Sequence, residues 1–103
     1  MKRLFLKAAI IGCIVLGQPA LADADAEQTA KNLCAGCHGP DGVSTNPLWP
    51  NIAGQKAQYT AKQLMAFRAG TRADPSMNGL SQTLSDAQID ALAAYYASMP
   101  AAN

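Results

Sequence analysis

Large side chains, charge and cysteine are all scarce in this chain of 103 residues. It has one Trp, three Tyr and two Phe, charged residues make up 15%, and there are three Cys and a single His. At this length there is room for one domain only. Half of the residues are hydrophobic, but many are alanine, so little surface is buried per residue. Domains this small are marginal without a staple, a metal or a cofactor. Something besides protein is therefore expected to fill the core. A disulfide framework would need more cysteines at wider spacing. The chain has no repeat, no low-complexity tract, no linker long enough to separate domains, and no segment that reads as a strand.

The first 22 residues differ in kind from the rest. Met1-Lys2-Arg3 supplies a positive start, Leu4 to Leu16 is apolar apart from Lys7, and Pro19-Ala20-Leu21-Ala22 ends in a small-x-small site. This pattern predicts a secretory signal, 1-22, cleaved after Ala22, and a single domain over 23-103. A membrane anchor would need about 20 apolar residues, and this stretch is shorter and holds a lysine. Ile10-Ile11-Gly12-Cys13 would suit lipid attachment at Cys13, but the apolar run continues past that cysteine. Cleavage removes Lys2, Arg3 and Lys7, leaving 5 basic against 7 acidic residues and a net charge near −2. Such a domain has no electrostatic reason to bind nucleic acid or an anionic membrane.

Asp25 followed by Gln28 resembles a capping box, and Ala26, Ala30 and Leu33 fall on one helical face, which predicts a short helix ending near Cys34. Residues 39–54 are rich in Pro, Gly, Asn and Ser and read as loop. A second helix is expected from about Lys56 to Ala69, with Gly70 just past its end. Thr71 to Thr83, carrying Asp74-Pro75 and Asn78-Gly79, reads as loop again. Ser85 with Gln88 forms another capping box, opening a last helix whose face is Ile89, Leu92, Ala93 and Tyr96. Three helices with two long loops make a poor compact domain unless the loops wrap something.

Cys34-Ala35-Gly36-Cys37-His38 says what that is. On a helical turn, i and i+3 share a face and i+4 lies beside them, so two thiols face one way with an imidazole adjacent. Each thiol can add to one haem vinyl group while the histidine becomes an axial ligand. A zinc site would need a second Cys/His pair. A thioredoxin-like redox pair needs a preceding strand, and a plain disulfide would leave the loops unexplained and His38 idle.

Over nearly all of 23–103 the chain resembles the small class I c-type cytochromes of bacterial periplasms. The resemblance rests on Trp49-Pro50-Asn51-Ile52-Ala53-Gly54-Gln55, on Tyr59, Gln63-Leu64, Phe67 and Gly70-Thr71-Arg72, and on Leu84-Ser85-Asp86 and Leu92-Ala93-Ala94-Tyr95-Tyr96. It implies an all-α class I cytochrome c fold, three main helices with long loops wrapped around one covalently attached haem. First and last helices would cross. Where many members place glycine and an aromatic on the first helix at this crossing, the chain offers Ala26 and Ala30, which implies a looser contact or one filled by Tyr95 and Tyr96.

The sixth iron position decides function. Met65 sits beside Leu64 and Phe67, where core packing suits it, and Met99 ends the last helix. Met77 lies 39 residues beyond His38 in a Pro- and Gly-bearing segment, and it matches the family's distal methionine, so it is expected to ligate the iron. The resemblance further implies that the Pro50 carbonyl accepts from the His38 ring and that Ile52 contacts the haem face. Trp49, Gln55, Tyr59 and Arg72 each carry a donor, and Arg pairs well with carboxylates, which makes them candidates to meet the propionates. With His38 and Met77 both on the iron no position is open. The expected role is outer-sphere electron transfer in the periplasm, with no enzymatic activity and transient redox partners docking near Ala35, Gly36 and Val43. Lys56, Lys62, Arg68 and Arg72 form a candidate local basic face. A cytochrome subunit of a dehydrogenase complex, or a haem-based sensor with a labile Met77, are the alternatives.

Overall fold

The computed structural model describes residues 25–103, together with Gly12; the expected signal, its cleavage site and Cys13 lie outside the described residues. Four helical elements follow one another, and no strand occurs among the described residues. We label them α1 (25–38), α2 (Ala57–Ala69), α3 (Pro75–Ser81) and α4 (Asp86–Ala97). Among these residues no helix is long and apolar enough to cross a membrane.

The last helix begins as expected. The Ser85 hydroxyl accepts from the Gln88 N–H at 3.1 Å while the Gln88 side chain accepts from the Ser85 N–H at 2.9 Å, so two otherwise orphaned donors are satisfied reciprocally. Ile89, Leu92, Ala93 and Tyr96 on its inner face are all buried. Helix α2 also ends as expected, at Gly70 in the left-handed region with φ 80°. Gly70 donates to Phe67 and Thr71 to Ala66, a closure that needs a residue tolerating positive φ.

Two expectations fail. The segment 71–83 is not all loop: Asp74 caps a helix, accepting from the Ser76 and Met77 N–H groups at 3.0 and 2.8 Å, with Pro75 in its first turn. Proline breaks a helix interior but suits the first position, where its missing N–H is not needed. Asn78-Gly79 then lies inside a helix. Gly79 costs that helix about 1 kcal/mol, and the Asp74 cap returns about as much.

The first helix also differs. Asp25 is already helical and the Gln28 amide donates forward to Asn32 at 3.1 Å, so the anticipated capping box does not form. The helix runs on through His38 and contains a π-helical stretch, Ala30–Cys34, in which the Ala35 N–H reaches back to the Ala30 carbonyl. At 3.6 residues per turn the buried face of Ala26 and Ala30 would continue to Leu33 and Cys37. The π turn holds one extra residue, a slip of about 100°. Leu33 is accordingly 39% exposed, whereas Cys34 packs on the core and His38 is half-buried. Deleting the exposed Asn32 should let the run close as ordinary α-helix with Cys34 and His38 still inward. Mass spectrometry of the variant should show undiminished haem attachment, and loss of attachment would refute the phase argument.

The core consists of Ala30, Leu84, Ile89, Leu92 and Tyr96, flanked by Cys34, Ile52, Ala61, Leu64, Leu80, Tyr95 and Met99. Nine hydrophobic residues are buried among those described, and four of them are alanine, so the protein core is as thin as the composition implies. Met65 is not part of it, at 37% exposed. A groove of about 350 Å³ remains between α1 and α4, lined by Asp25, Ala26 and Thr29 on one side and Ala87, Gln88, Ala91 and Leu92 on the other. Ala26, Ala30 and Leu92 are themselves buried.

Candidate haem site

Cys34, Cys37 and His38 lie at the C-terminal end of α1, and both thiols are free. Gly39, with φ 84°, turns the chain away directly after the histidine; a side chain there would collide with the Val43 carbonyl. The turn brings the chain back on itself, so that Ile52 and Ala53 both donate to the Gly42 carbonyl at 2.8 and 2.9 Å.

This return sets Pro50 beside the histidine. The His38 Nδ1 lies 2.8 Å from the Pro50 carbonyl oxygen. A carbonyl only accepts, so Nδ1 carries the proton and Nε2 is left with its lone pair, the form a metal needs. The loop that presents Pro50 is itself tied down. Ser44 N–H donates to the Asn51 side chain at 2.7 Å, the Ser44 hydroxyl to the Asn46 carbonyl at 2.9 Å, and Leu48 N–H to the Asn46 side chain at 2.9 Å.

The two thiols differ. Burial pushes the Cys34 thiol up, an effect the adjacent Tyr96 hydroxyl opposes. Burial, reinforced by Cys34, likewise pushes Tyr96 above the usual phenol range. Cys37 is exposed. Among the described residues no three His, Cys, Asp or Glu side chains gather as a metal cluster, which leaves His38 as a lone nitrogen donor directly after the second of two thiols. Residues in this arrangement fit a covalently held haem.

The other candidates lie on different elements. Met77 is half-buried on α3 rather than in a loop. Ile52 is half-buried against the core. Trp49 and Tyr59 are 41% and 49% exposed, and the Gln55 side chain accepts from Lys56 N–H. Arg72 is already engaged, donating to Gln63 at 2.7 Å and stacking over the Phe67 ring at 4.5 Å. Arg68 pairs with Asp86 and donates to the Leu84 carbonyl. Of the basic face anticipated over 56–72, Arg68 is paired with Asp86, while Lys56, Lys62 and Arg72, whose partners are uncharged, keep their positive charge.

Residues 21–95 match the family model described as "Cytochrome C oxidase, cbb3-type, subunit III". The chain belongs to the class I c-type cytochromes. It is 43% identical over 83 residues to a cytochrome c4 of Thiocapsa roseopersicina, covering 80% of this chain and 43% of that protein. Cytochrome c-554(548) of Halomonas halodenitrificans is 39% identical over 79 residues, which cover 74% of this chain and 95% of that one. The crystal structure of reduced cytochrome c4 from Pseudomonas stutzeri superposes with a TM-score of 0.67 at 36% identity, over 78% of this chain and 50% of that chain. The chain therefore spans about half the length of the cytochrome c4 proteins and nearly all of the shorter relative. Membership of this family implies covalently bound haem c.

Proposed function

We propose that this cytochrome is an exported, periplasmic electron carrier with one haem c in a single domain over 23–103, and that it is not an enzyme. The observation that carries the reading is the His38–Pro50 hydrogen bond at 2.8 Å, which holds the ring in its metal-binding tautomer. A bound haem supplies a one-electron couple at its iron. Cys34 and Cys37 would carry the two thioethers, His38 would give Nε2 to one axial position and Met77 its sulfur to the other. With both axial positions occupied by protein atoms, no substrate coordinates without displacing one of them, and only electrons are exchanged.

Ile52 would pack against the haem face, and Trp49, Gln55 and Tyr59 remain candidates for the propionates. Arg72 is a weaker one, because its guanidinium is already shared between Gln63 and Phe67. Gly36 and Cys37 are exposed and Val43 is 37% exposed, which gives a redox partner a small, uncharged contact beside the thioethers. Small interfaces that separate quickly suit such encounters.

An optical redox titration of the exported protein tests the reading. One haem per chain is expected, with a low-spin ferric spectrum, a weak red sulfur-to-iron band and no response to carbon monoxide after reduction. Avid carbon monoxide binding would favour a sensor instead.

A further inference from the structure

Helix α3, which carries Met77, is held on the core by Leu80 and the buried Ser81 but has little intrinsic helix stability. It is seven residues long, starts on Pro75 and contains Gly79. The residue after Met77 ties it down. The Asn78 amide nitrogen donates to two backbone carbonyls at once, Phe67 in α2 and Arg72 in the connecting loop, both at 2.8 Å. Its Oδ1 accepts from the Asp74 N–H at 2.7 Å. Both amide protons are therefore used.

The bonds form a closed circuit around the methionine. Asp74 accepts from the Met77 N–H, and Asn78 accepts from Asp74, a reciprocal cap in which the side chain one place further along the helix does the work of the usual third-position Glu or Gln. At 3.6 residues per turn, neighbours on a helix point about 100° apart. Anchoring Asn78 onto the end of α2 therefore fixes the direction in which Met77 leaves the helix. The Phe67 carbonyl lies where Gly70 closes α2, so the anchor is a terminated and rigid helix end.

We propose that Asn78 is the positioning residue for the Met77 sulfur and sets how firmly that sulfur is held at the iron. The proposal rests on the reading of Met77 as the axial ligand. It differs from a plain capping role, which would lower the stability of the whole fold and leave the ligand equilibrium alone.

The test uses the haem-loaded protein in four variants: Asn78→Ala, the equal-sized Asn78→Asp, Met77→Ala, and Ser85→Ala, which removes a cap on α4. Three quantities are read: the pH at which the ferric sulfur-to-iron band is lost, the rate of carbon monoxide uptake by the reduced protein, and the denaturant midpoint. Losing two donated hydrogen bonds should weaken sulfur retention about tenfold, moving the band-loss midpoint down by about one pH unit and raising carbon monoxide uptake by a similar factor. Asn78→Asp keeps only the acceptor and should behave alike. Ser85→Ala should lower the denaturant midpoint without moving the other two readings. If the Asn78 variants behave like Ser85→Ala, the positioning role is refuted. Should Asn78→Ala fail to fold, Asn78→Asp decides the matter, and failure of both to hold a folded haem protein counts for a general structural role and against the proposal. Persistence of the band in Met77→Ala would overturn the ligand reading itself, a result separate from any behaviour of the Asn78 variants.

Discussion

Replacing Cys34 and Cys37 together with alanine is expected to give a colourless chain that loses most of its helix. Only five large side chains, Phe67, Leu84, Ile89, Leu92 and Tyr96, are buried among the described residues; the other four buried hydrophobics are alanines. Burying a large apolar side chain gains about 1.5–3 kcal/mol, while ordering each residue costs about 1–2 kcal/mol of backbone entropy. Five such side chains do not hold a domain of this size. A covalent haem adds apolar surface where the protein has none to offer, and the thioethers keep it from dissociating. Far-UV circular dichroism on the double variant is the check. A helical, cooperatively unfolding apoprotein would show that the protein core suffices by itself.

The single substitutions should not be equivalent. Cys34 packs against the core and Cys37 is exposed, so Cys34→Ala loses packing as well as a thioether, while Cys37→Ala loses the thioether alone. The larger drop in denaturant midpoint belongs to Cys34→Ala.

What could be read from the sequence follows a physical division. Features set by a few adjacent residues were legible: the Cys34-x-x-Cys37-His38 segment, the Ser85/Gln88 box and the Gly70 stop, each a short-range requirement for a particular donor, acceptor or backbone angle. The Pro50 partner of His38, twelve residues away, was legible only through the family resemblance. The features that were missed depend on how two signals trade against each other. Asp74-Pro75 serves a turn and a helix start equally well, and Asn78-Gly79 tipped the balance towards turn because the long-range bonds from Asn78 to Phe67 and Arg72 leave no trace in local sequence. The same holds for α1. Nothing in Ala30 to Cys34 announces an extra residue in the turn; the slip emerges only when Ala26 and Ala30 must share a face with Cys34 and His38. Arg72 shows the same limit from another side: its partners, Gln63 and the Phe67 ring, lie on the preceding helix and are not announced by its neighbours in the chain.

Met77→Ala is expected to retain its haem and to have a lower reduction potential. Retention follows from the separation of the attachment points: both thiols and His38 lie on α1, and the Pro50 carbonyl that orients the ring comes from the following loop, none of which depends on α3. The potential should fall because thioether sulfur favours ferrous iron, and a water or hydroxide in its place favours the ferric state. Axial ligation and its surroundings span ~0.8 V across haem proteins, so a fall on the order of 0.1 V is expected. At about 59 mV per decade for one electron, that is nearly two decades in the equilibrium with any fixed partner, enough to reverse the direction of transfer to an acceptor of matched potential. The open position should also bind carbon monoxide after reduction. An optical titration reads all three effects on one sample. A variant with unchanged potential, an intact sulfur-to-iron band and no carbon monoxide adduct would mean that another side chain ligates, and Met65, exposed on α2, and Met99, packed beside the core, would be the next to replace.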